Sequence, residues 1–427
     1  MFSHQEISRR LARKELSSPI LDRFLRYVAI DTSSDSLRKD GKKPSTDCQM
    51  DLCRLLYHEL VNEFKINDVS IDEYGFVLAK IPATQGYEGA PSILFNAHVD
   101  TSDETSGKNV RPTIIENYDG SAIKLINGEE IDLVLNPALK DCVSDTLIVT
   151  DGNTLLGADD KAGIANILAA FEFVVRNEIP HGPIELLFNT DEEISAGMKF
   201  LDYSKINSRI AYTIDSFPPP SINTSCFNAY KAKITFNGFV QHPGYCRGRF
   251  SDAVLMATQL VSNLPRSESP ESTDKEYGYF YPNYIQGETD CATVGLIIRD
   301  FSEENMEKRL KKVRSIAETV ASLYSDGNVQ IEFTKQYSNI SIGISKNPNI
   351  RNHLLTACKS VCKEVKEIPF RGGTDGTFLT ENGIPTPNIF TGGYNPHSRK
   401  EFAVLSQMVA SAEIIIELIK LWASERI

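Results

Sequence analysis

Apolar residues recur at the spacing of an amphipathic helix in several stretches of the chain, each bounded by polar residues. This pattern predicts helices over residues 19–28, 50–61, 160–175, 251–264, 302–323 and 406–423. Residues 31–46, between the first two of these stretches, are polar and have no regular period, which predicts a loop.

Four short apolar runs have the length of buried strands, and histidine or acidic residues closely follow each of them. The runs occupy residues 92–95, 184–188, 210–214 and 388–390. The residues that follow them are His98 and Asp100, Glu192 and Glu193, Asp215, and His397. In open α/β sheets, binding sites form just beyond the carboxyl ends of the strands, so the four runs predict one shared site.

The alternation of strand and helix patterns predicts an α/β catalytic domain, with a mostly parallel sheet and helices on both faces. The middle of the chain differs, because strand patterns at 231–236, 293–298 and 329–333 alternate with two helices. This order predicts a smaller α+β domain inserted into the larger one. We expect the catalytic domain to span 1–223 and 340–427, with 1–17 as an N-terminal extension, and the inserted domain to span 224–339.

The residue types at the strand ends are those that bind zinc where catalysis needs an open coordination position. Asp159, in the loop before helix 160–175, adds a carboxylate that could bridge two ions about 3.5–4 Å apart. Asp100 lies two residues after His98, on the same face of an extended strand, where it could fix the histidine tautomer. Either Glu192 or Glu193 could bind metal while the other moves a proton, and the residues alone leave this open.

Each of these features has an ordinary structural explanation when it is taken alone. Acidic residues at a helix start favour the helix dipole or cap the helix, and an acidic turn after a strand is commonly solvated. Their combination at four strand ends and one helix-opening loop favours a metal site instead.

These residues and their order resemble the M20 family of co-catalytic metallopeptidases that includes peptidase T, the tripeptide aminopeptidase. The resemblance covers about residue 18 to the C-terminus and rests on eight segments. They are residues 96–101, 156–163, 190–193, 212–215, 242–244, 297–301, 371–376 and 388–395. The last two segments point to peptidase T more narrowly than the others.

The resemblance implies two zinc ions per subunit and a role for each candidate residue. One zinc ion would be held by His98 and Asp215, the other by Glu193 and His397, and Asp159 would bridge them. Glu192 would be the general base, and Asp100 would orient His98. The residues expected to contact the substrate are His242, Arg299, Arg371 and Asn395.

Three segments depart from the usual pattern of this family. Residues 216–220 replace a Gly-Gly pair after the metal aspartate, and residues 245–247 replace a smaller residue and a lysine. Pro396 stands where an aromatic residue usually precedes the metal histidine. None of these changes removes a ligand, but the first two could reshape the substrate pocket.

Composition narrows the class of protein further. The chain has 427 residues, of which 41% are apolar and 24% charged, and this balance excludes disorder along the whole chain. The net charge of −12 argues against a general nucleic-acid binder. No uncharged apolar run reaches the roughly 18 residues that a membrane helix needs. Eight thinly spread cysteines argue against a disulfide scaffold, so we expect a cytoplasmic protein.

The residues and the resemblance together predict a dizinc aminopeptidase that hydrolyses the N-terminal bond of tripeptides or other short peptides. The expected partner is a short peptide, without nucleic acid or membrane, and a homodimer is left open. One alternative is a deacylase or carboxypeptidase with the same metal centre, which would prefer N-acylated substrates. The other is a catalytically silent peptide-binding protein, against which the unbroken ligand set argues.

Overall fold

The computed structural model describes residues 2–38 and 40–425. The helices are α1 (His4–Ala12), α2 (Lys14–Val28), α3 (Gln49–Asn62), α4 (Ala158–Arg176), α5 (Ala253–Asn263), α6 (Glu303–Ser322), α7 (Ser341–Ile344), α8 (Pro348–Val361), α9 (Asp375–Glu381) and α10 (Leu405–Ser424). The strands are β1 (Asp68–Ile71), β2 (Val77–Ile81), β3 (Ile93–His98), β4 (Thr113–Ile115), β5 (Ile123–Lys124), β6 (Glu130–Ile131), β7 (Leu147–Val149), β8 (Ile184–Asn189), β9 (Ile210–Ser216), β10 (Ser221–Asn223), β11 (Asn228–Asn237), β12 (Tyr279–Gly287), β13 (Cys291–Asp300), β14 (Asn328–Tyr337), β15 (Lys366–Glu367), β16 (Asn388–Phe390), β17 (Gly393–Tyr394) and β18 (Phe402–Val404).

The helices and strands predicted from the apolar pattern are present at the expected places. Strand β12 was missed, because its side chains are mostly exposed and Pro282 interrupts its pattern. Among the described residues, none of the helices combines the length and the apolar character that crossing a membrane requires.

The chain forms two compact units. The larger unit contains the residues up to Thr224, Gly343–Ile368, and the residues from Thr374 onward. The smaller unit contains Ser225–Ile342 and Pro369–Gly373. The last segment lies inside the expected catalytic range in sequence. It groups with the smaller unit because Phe370 forms a parallel bridge with Cys226 there.

The larger unit is built on an eight-stranded sheet of order β1-β2-β8-β3-β9-β16-β10-β15. Its central strands β8, β3, β9 and β16 are parallel to one another. Strands β1 and β2 add an antiparallel edge. Parallel neighbours place their carboxyl ends at one edge of a sheet, so these central strands all deliver their following residues to the same place.

Helices cover both faces of this sheet, as the sequence predicted. Side chains alternate along each strand, so Phe95 points to one face and its neighbour Leu94 to the other. Phe95 joins the main core beneath α2, α3, α4, α8 and α10. Leu94 joins a second core that includes Leu379 of α9. The predicted α/β class with a mainly parallel sheet is therefore confirmed.

The smaller unit is a four-stranded antiparallel sheet of order β12-β13-β11-β14 with α5 and α6 packed on one face. Alternate residues of β11, such as Ile234 and Phe236, point into the core between sheet and helices. Val313 and Ala317 of α6 meet them from the other side. This is the α+β architecture that the sequence predicted.

The N-terminal extension is helical and packs against the larger unit. Arg10 of α1 is completely buried, and its Nε donates to Glu413 Oε2 of α10 at 2.9 Å. Arg13 Nη1 also donates to Glu413, at 2.5 Å. The extension is thus tied to the C-terminal helix by charged hydrogen bonds in a buried setting.

Candidate metal centre

The five predicted metal ligands lie at the carboxyl edge of the large sheet. β3 ends at His98, β9 carries Asp215, and the turn after β8 carries Glu193. Asp159 lies where the loop enters α4, with a non-helical backbone, and the peptide bond that follows it is cis. His397 follows β17 with a left-handed backbone (φ 62°).

The ligand atoms form two groups, and the atoms within each group lie within 4.8 Å of one another. In the first group, His98 Nε2 lies 3.0 Å from Asp159 Oδ1 and 3.9 Å from Asp215 Oδ1. In the second group, His397 Nε2 lies 2.8 Å from Glu193 Oε2 and 3.4 Å from Asp159 Oδ2. Asp159 is common to both groups and presents one oxygen to each, which is the arrangement a bridging carboxylate needs.

One buried atom in the second group has no hydrogen-bond partner. Glu193 Oε1 is inaccessible to solvent and makes no hydrogen bond within the part of the chain that is described. Leaving a buried carboxylate oxygen unpaired is costly unless a cation completes its environment. The donor set of two imidazoles and three carboxylates therefore fits a pair of divalent metal ions of the zinc type.

The pKa values of these groups also support a cation site. Burial opposes the charged form of His98, but hydrogen bonds to Asp100 and Asp159 outweigh it and raise its pKa well above the usual range. Hydrogen bonds to Asp159 and Glu193 raise the pKa of His397 to about 11. Burial and the charge of Asp159 raise the pKa of Glu193 to about 7. The raised pKa values of both imidazoles show that the carboxylates around them favour a positive charge at this place.

Asp100 makes two kinds of contact. His98 Nδ1 lies 3.0 Å from the backbone oxygen of Asp100 and 3.4 Å from its Oδ1. Asp100 therefore contacts the Nδ1 side of the imidazole with both its backbone and its side chain. Its carboxylate also accepts the backbone N–H groups of Glu192, at 3.0 Å, and Glu193, at 3.1 Å. Asp100 therefore holds both the histidine and the turn that carries the two glutamates.

The same turn is held from its other side by Asp191. Its backbone is left-handed (φ 57°), which lets the chain reverse direction directly after β8. Its carboxylate is fully buried and accepts hydrogen bonds from Ser45 N at 2.7 Å and Gln49 Nε2 at 2.8 Å. The turn that carries Glu192 and Glu193 is therefore fixed at both ends.

Glu192 stands beside the ligands without belonging to either group of them. Burial raises the pKa of Glu192 well above its usual range, and the charges of Asp375 and Asp215 add to this effect. A carboxyl group whose pKa is raised by burial holds a proton more readily than an exposed one, which suits Glu192 to general acid–base chemistry.

Two buried acids at the site were not singled out from the sequence. The carboxylate of Glu401 accepts three backbone N–H groups of the loop that carries Asp159. Asp375, inside a segment that carries the family resemblance, accepts a hydrogen bond from Asn189 Nδ2 at 2.6 Å. Glu401 has no sequence signal of its own, because acceptors of backbone N–H groups follow no fixed spacing. Asp375 could have been found from its place in the segment 371–376, which carries the resemblance.

Three of the four predicted substrate-binding residues belong to the smaller unit. His242 is exposed, and its Nδ1 accepts the N–H of Gly244 at 3.2 Å. Arg299 is half-buried on β13, and its Nη2 donates to Gln336 at 3.1 Å. Their part in substrate binding stays a prediction.

The other two residues predicted to bind substrate, Arg371 and Asn395, make hydrogen bonds within their own units. Arg371 was placed in the catalytic domain, but it groups with the smaller unit because its guanidinium donates to the backbone oxygens of Lys275 and Tyr277. Asn395, in the larger unit, donates to Asn136 Oδ1 at 2.7 Å and shapes the loop before His397.

Residues 148–421 match the family described as Peptidase family M20/M25/M40. The chain belongs to this family and is a peptidase. It is 40% identical over 412 residues to peptidase T of Geobacillus thermodenitrificans (strain NG80-2), an alignment that covers 95% of this chain and 99% of the relative. It is also 40% identical over 413 residues to peptidase T of Desulfitobacterium hafniense (strain Y51), with 96% and 99% covered. Within the family, the chain therefore belongs with the peptidase T proteins.

Solved structures share the fold. The aminopeptidase PepT from Bacillus cereus ATCC 10987 superposes with a TM-score of 0.75 at 21% identity, covering 96% of this chain and 99% of that one. A tripeptidase from Staphylococcus aureus has a TM-score of 0.74 at 20% identity, with the same coverage. A dinuclear metal-binding peptidase of the M20 family from Bacillus subtilis has a TM-score of 0.65 at 14% identity, covering 97% and 100%.

Proposed function

We propose that this chain is an aminopeptidase that uses two zinc ions to hydrolyse the N-terminal bond of tripeptides or other short peptides. The observation that carries the proposal is the position of Asp159, whose two oxygens face two separate groups of ligands. The relatives named peptidase T, and the solved structures called aminopeptidase and tripeptidase, support the substrate class.

The residues divide into two sets of ligands around Asp159. His98 and Asp215 would hold one ion, and Glu193 and His397 the other. When bound, the ions would polarise the scissile carbonyl and lower the pKa of a water molecule. The unpaired Glu193 Oε1 supports this assignment, because it offers a further oxygen to the second ion.

Glu192 is the general base in this proposal. It takes a proton from the attacking water and returns the proton to the departing amine. Its raised pKa supports this role, because the carboxyl group has to retain the proton between the two transfers. The two N–H bonds to Asp100 fix the backbone from which Glu192 reaches the substrate.

Substrate recognition is assigned to the remaining predicted residues. His242, Arg299 and Arg371 would contact the peptide from the smaller unit, which would act as a lid, and Asn395 would contact it from the larger unit. Arginine suits a peptide C-terminus, because it grips a carboxylate through two parallel hydrogen bonds. We also propose a cytoplasmic location, which the eight free cysteines support.

The test is a comparison of a free-amine tripeptide with its N-acetylated form, both incubated with zinc-loaded protein and followed by mass spectrometry. Release of the N-terminal residue from the free tripeptide alone supports the aminopeptidase. Cleavage of the acetylated form alone would assign the protein to the deacylases of the same family. Absence of cleavage in either sample, with two zinc ions bound, would favour a silent peptide-binding protein.

A further inference from the structure

Glu401 is a buried carboxylate that is paired only with backbone N–H groups. It is 1% exposed, and the three hydrogen bonds that its carboxylate accepts among the described residues all come from backbone N–H groups. Its Oε2 accepts the N–H of Leu156 at 2.7 Å and that of Gly157 at 2.8 Å. Its Oε1 accepts the N–H of Asp159 at 3.1 Å.

The three N–H groups belong to the loop that opens α4. Gly157 has a left-handed backbone (φ 83°) and is the N-cap of this helix, but it has no side chain with which to cap it. Glu401 supplies the missing acceptor from a distant part of the chain. The three backbone hydrogen bonds favour the charged form of Glu401, but burial opposes it more strongly and raises the pKa of Glu401 to about 7.

The backbone of Glu401 belongs to the loop that carries His397. The N–H of Glu401 donates to Ser398 O at 3.1 Å, so its backbone closes the turn directly after His397. Thr105 Oγ1 donates to His397 O at 3.0 Å and ties that loop down from a second side. One side chain thus joins the loop of Asp159 to the loop of His397.

The second ligand group depends on both of these loops. Glu193 comes from the fixed turn after β8, whereas Asp159 and His397 come from the two loops that Glu401 joins. His397 Nε2 and Asp159 Oδ2 lie 3.4 Å apart, and a metal ion requires its ligands to be held within about 0.5 Å of the productive geometry. Free movement of either loop would change this spacing.

We propose that Glu401 is a positioning residue that sets the spacing of Asp159 and His397 for the second metal ion. This inference rests on the proposed dizinc function. It assigns Glu401 no contact with the substrate. It predicts that replacing Glu401 weakens the second zinc site more than the first, because the second site takes two ligands, Asp159 and His397, from the joined loops and the first takes only Asp159.

A matched control exists elsewhere in the same unit. Glu185 of β8 is 2% exposed, and its carboxylate also accepts backbone N–H groups, from Asn207 at 3.0 Å and Ser208 at 2.8 Å. It differs from Glu401 in a long ion pair, with Lys80 Nζ at 3.9 Å. It lies near the start of β8, whereas the candidate ligands of the sheet lie at or just beyond the carboxyl ends of the strands. A loss that arises only from removing a buried carboxylate should therefore appear equally in Glu185→Gln and Glu401→Gln.

The experiment uses the full-length protein and the variants Glu401→Gln, Glu401→Ala and Glu185→Gln. Glutamine keeps the size of the side chain but has only one acceptor oxygen for the three N–H groups. Titration of metal-free protein with zinc should show two equivalents in the wild type. In Glu401→Gln the second equivalent should bind about 10–100-fold more weakly, and the first should lose less, because it shares only Asp159 with the loosened loops. Glu185→Gln should bind both equivalents as the wild type does.

Hydrogen exchange of the metal-free proteins gives a readout that does not depend on activity. The amides of residues 156, 157 and 159 should exchange faster in Glu401→Gln and at the wild-type rate in Glu185→Gln. With the tripeptide, kcat of Glu401→Gln should fall while KM changes by less than about threefold. Glu401→Ala should repeat this pattern in a stronger form.

The outcomes separate the two proposals. If the wild-type protein binds fewer than two zinc ions, the proposed dizinc function is wrong. If the wild-type protein binds two zinc ions and Glu401→Gln binds them with unchanged affinity, only the proposed positioning role of Glu401 is wrong. Equal losses in Glu401→Gln and Glu185→Gln would likewise overturn it and reduce Glu401 to a general contributor to stability. If Glu401→Ala fails to fold, the comparison of Glu401→Gln with Glu185→Gln still tests the positioning role of Glu401.

Discussion

The carboxylate of Asp100 accepts the backbone N–H of Glu192 at 3.0 Å. Its second oxygen accepts the N–H of Glu193 at 3.1 Å, while the same residue meets the imidazole of His98. One aspartate therefore links a ligand of the first group to a ligand of the second and to the proposed base. Its influence on the site goes beyond fixing the tautomer of a histidine.

Replacing Asp100 with asparagine should damage zinc binding and turnover together. The amide has one acceptor oxygen, so one of the two N–H groups loses its partner and the turn loosens. We expect zinc affinity to fall about 10–100-fold, measured by calorimetry, with a parallel fall in kcat. Asp202→Asn is the control, because exposed Asp202 also accepts a backbone N–H, that of Ser204, and belongs to neither ligand group. Equal behaviour of the two variants would contradict the linking role.

Replacing Glu192 with glutamine should remove turnover without removing metal. Glutamine cannot accept the proton of the attacking water, so kcat should fall by about 10²–10⁴. Zinc stoichiometry should stay at two, because Glu192 belongs to neither ligand group. Steady-state kinetics and elemental analysis of one preparation test both statements, with exposed Glu116→Gln as the control. Near-wild-type kcat with two zinc ions bound would exclude Glu192 as the base.

The convergence of the candidate ligands could be predicted from the sequence, because four of the five follow strands whose apolar pattern is strong. Candidates such as His98 and Asp215 needed only a strand end and a residue type, and their role as ligands stays a prediction. The spacing of Asp100 and His98 predicted their contact, but the hydrogen bonds that Asp100 and Glu401 accept from backbone N–H groups could not be predicted, because every sequence offers such groups. The position of Arg371 in the smaller unit also depends on long-range contacts, with Lys275 and Tyr277, that no local pattern encodes.

Replacing His397 with alanine should remove the second zinc ion. His397 is the only imidazole among the described residues of the second group, and it lies 2.8 Å from Glu193. Elemental analysis after dialysis should give about one zinc ion per chain instead of two. His353→Ala, which removes an imidazole that pairs with Glu425, is the matched control and should retain both. Two tightly bound ions in His397→Ala would remove it from the ligand set.

Binding of the second zinc ion should release protons. In the metal-free protein the pKa of His397 is raised to about 11, so its imidazole is protonated at neutral pH, whereas zinc requires the neutral form. The apparent affinity should therefore rise with pH throughout the range below about 11, about tenfold per pH unit for each proton displaced. Calorimetry in two buffers of different ionisation enthalpy counts these protons. A binding enthalpy that is independent of buffer would show that His397 is already neutral.

Replacing Glu413 with alanine should destabilise the larger unit by detaching its N-terminal helix. Arg10 is fully buried, donates to Glu413 at 2.9 Å and lies 4.1 Å from the ring centroid of Phe2. Removing the carboxylate leaves a buried cation without its counter-charge, which costs about 3–5 kcal/mol of unfolding free energy. The exposed pair of Asp51 and Arg54 is the control, because surface pairs contribute about 0–1 kcal/mol.

Urea denaturation followed by circular dichroism measures both losses in the same buffer, and hydrogen exchange shows where the structure opens. Amides of α1 should lose protection in Glu413→Ala and keep it in Asp51→Ala. Zinc stoichiometry should stay at two in both variants, since α1 contributes no ligand. Equal free-energy losses in the two variants would mean that α1 is held mainly by apolar residues such as Ile7, and that the buried charge of Arg10 is satisfied by Val361 O at 2.6 Å.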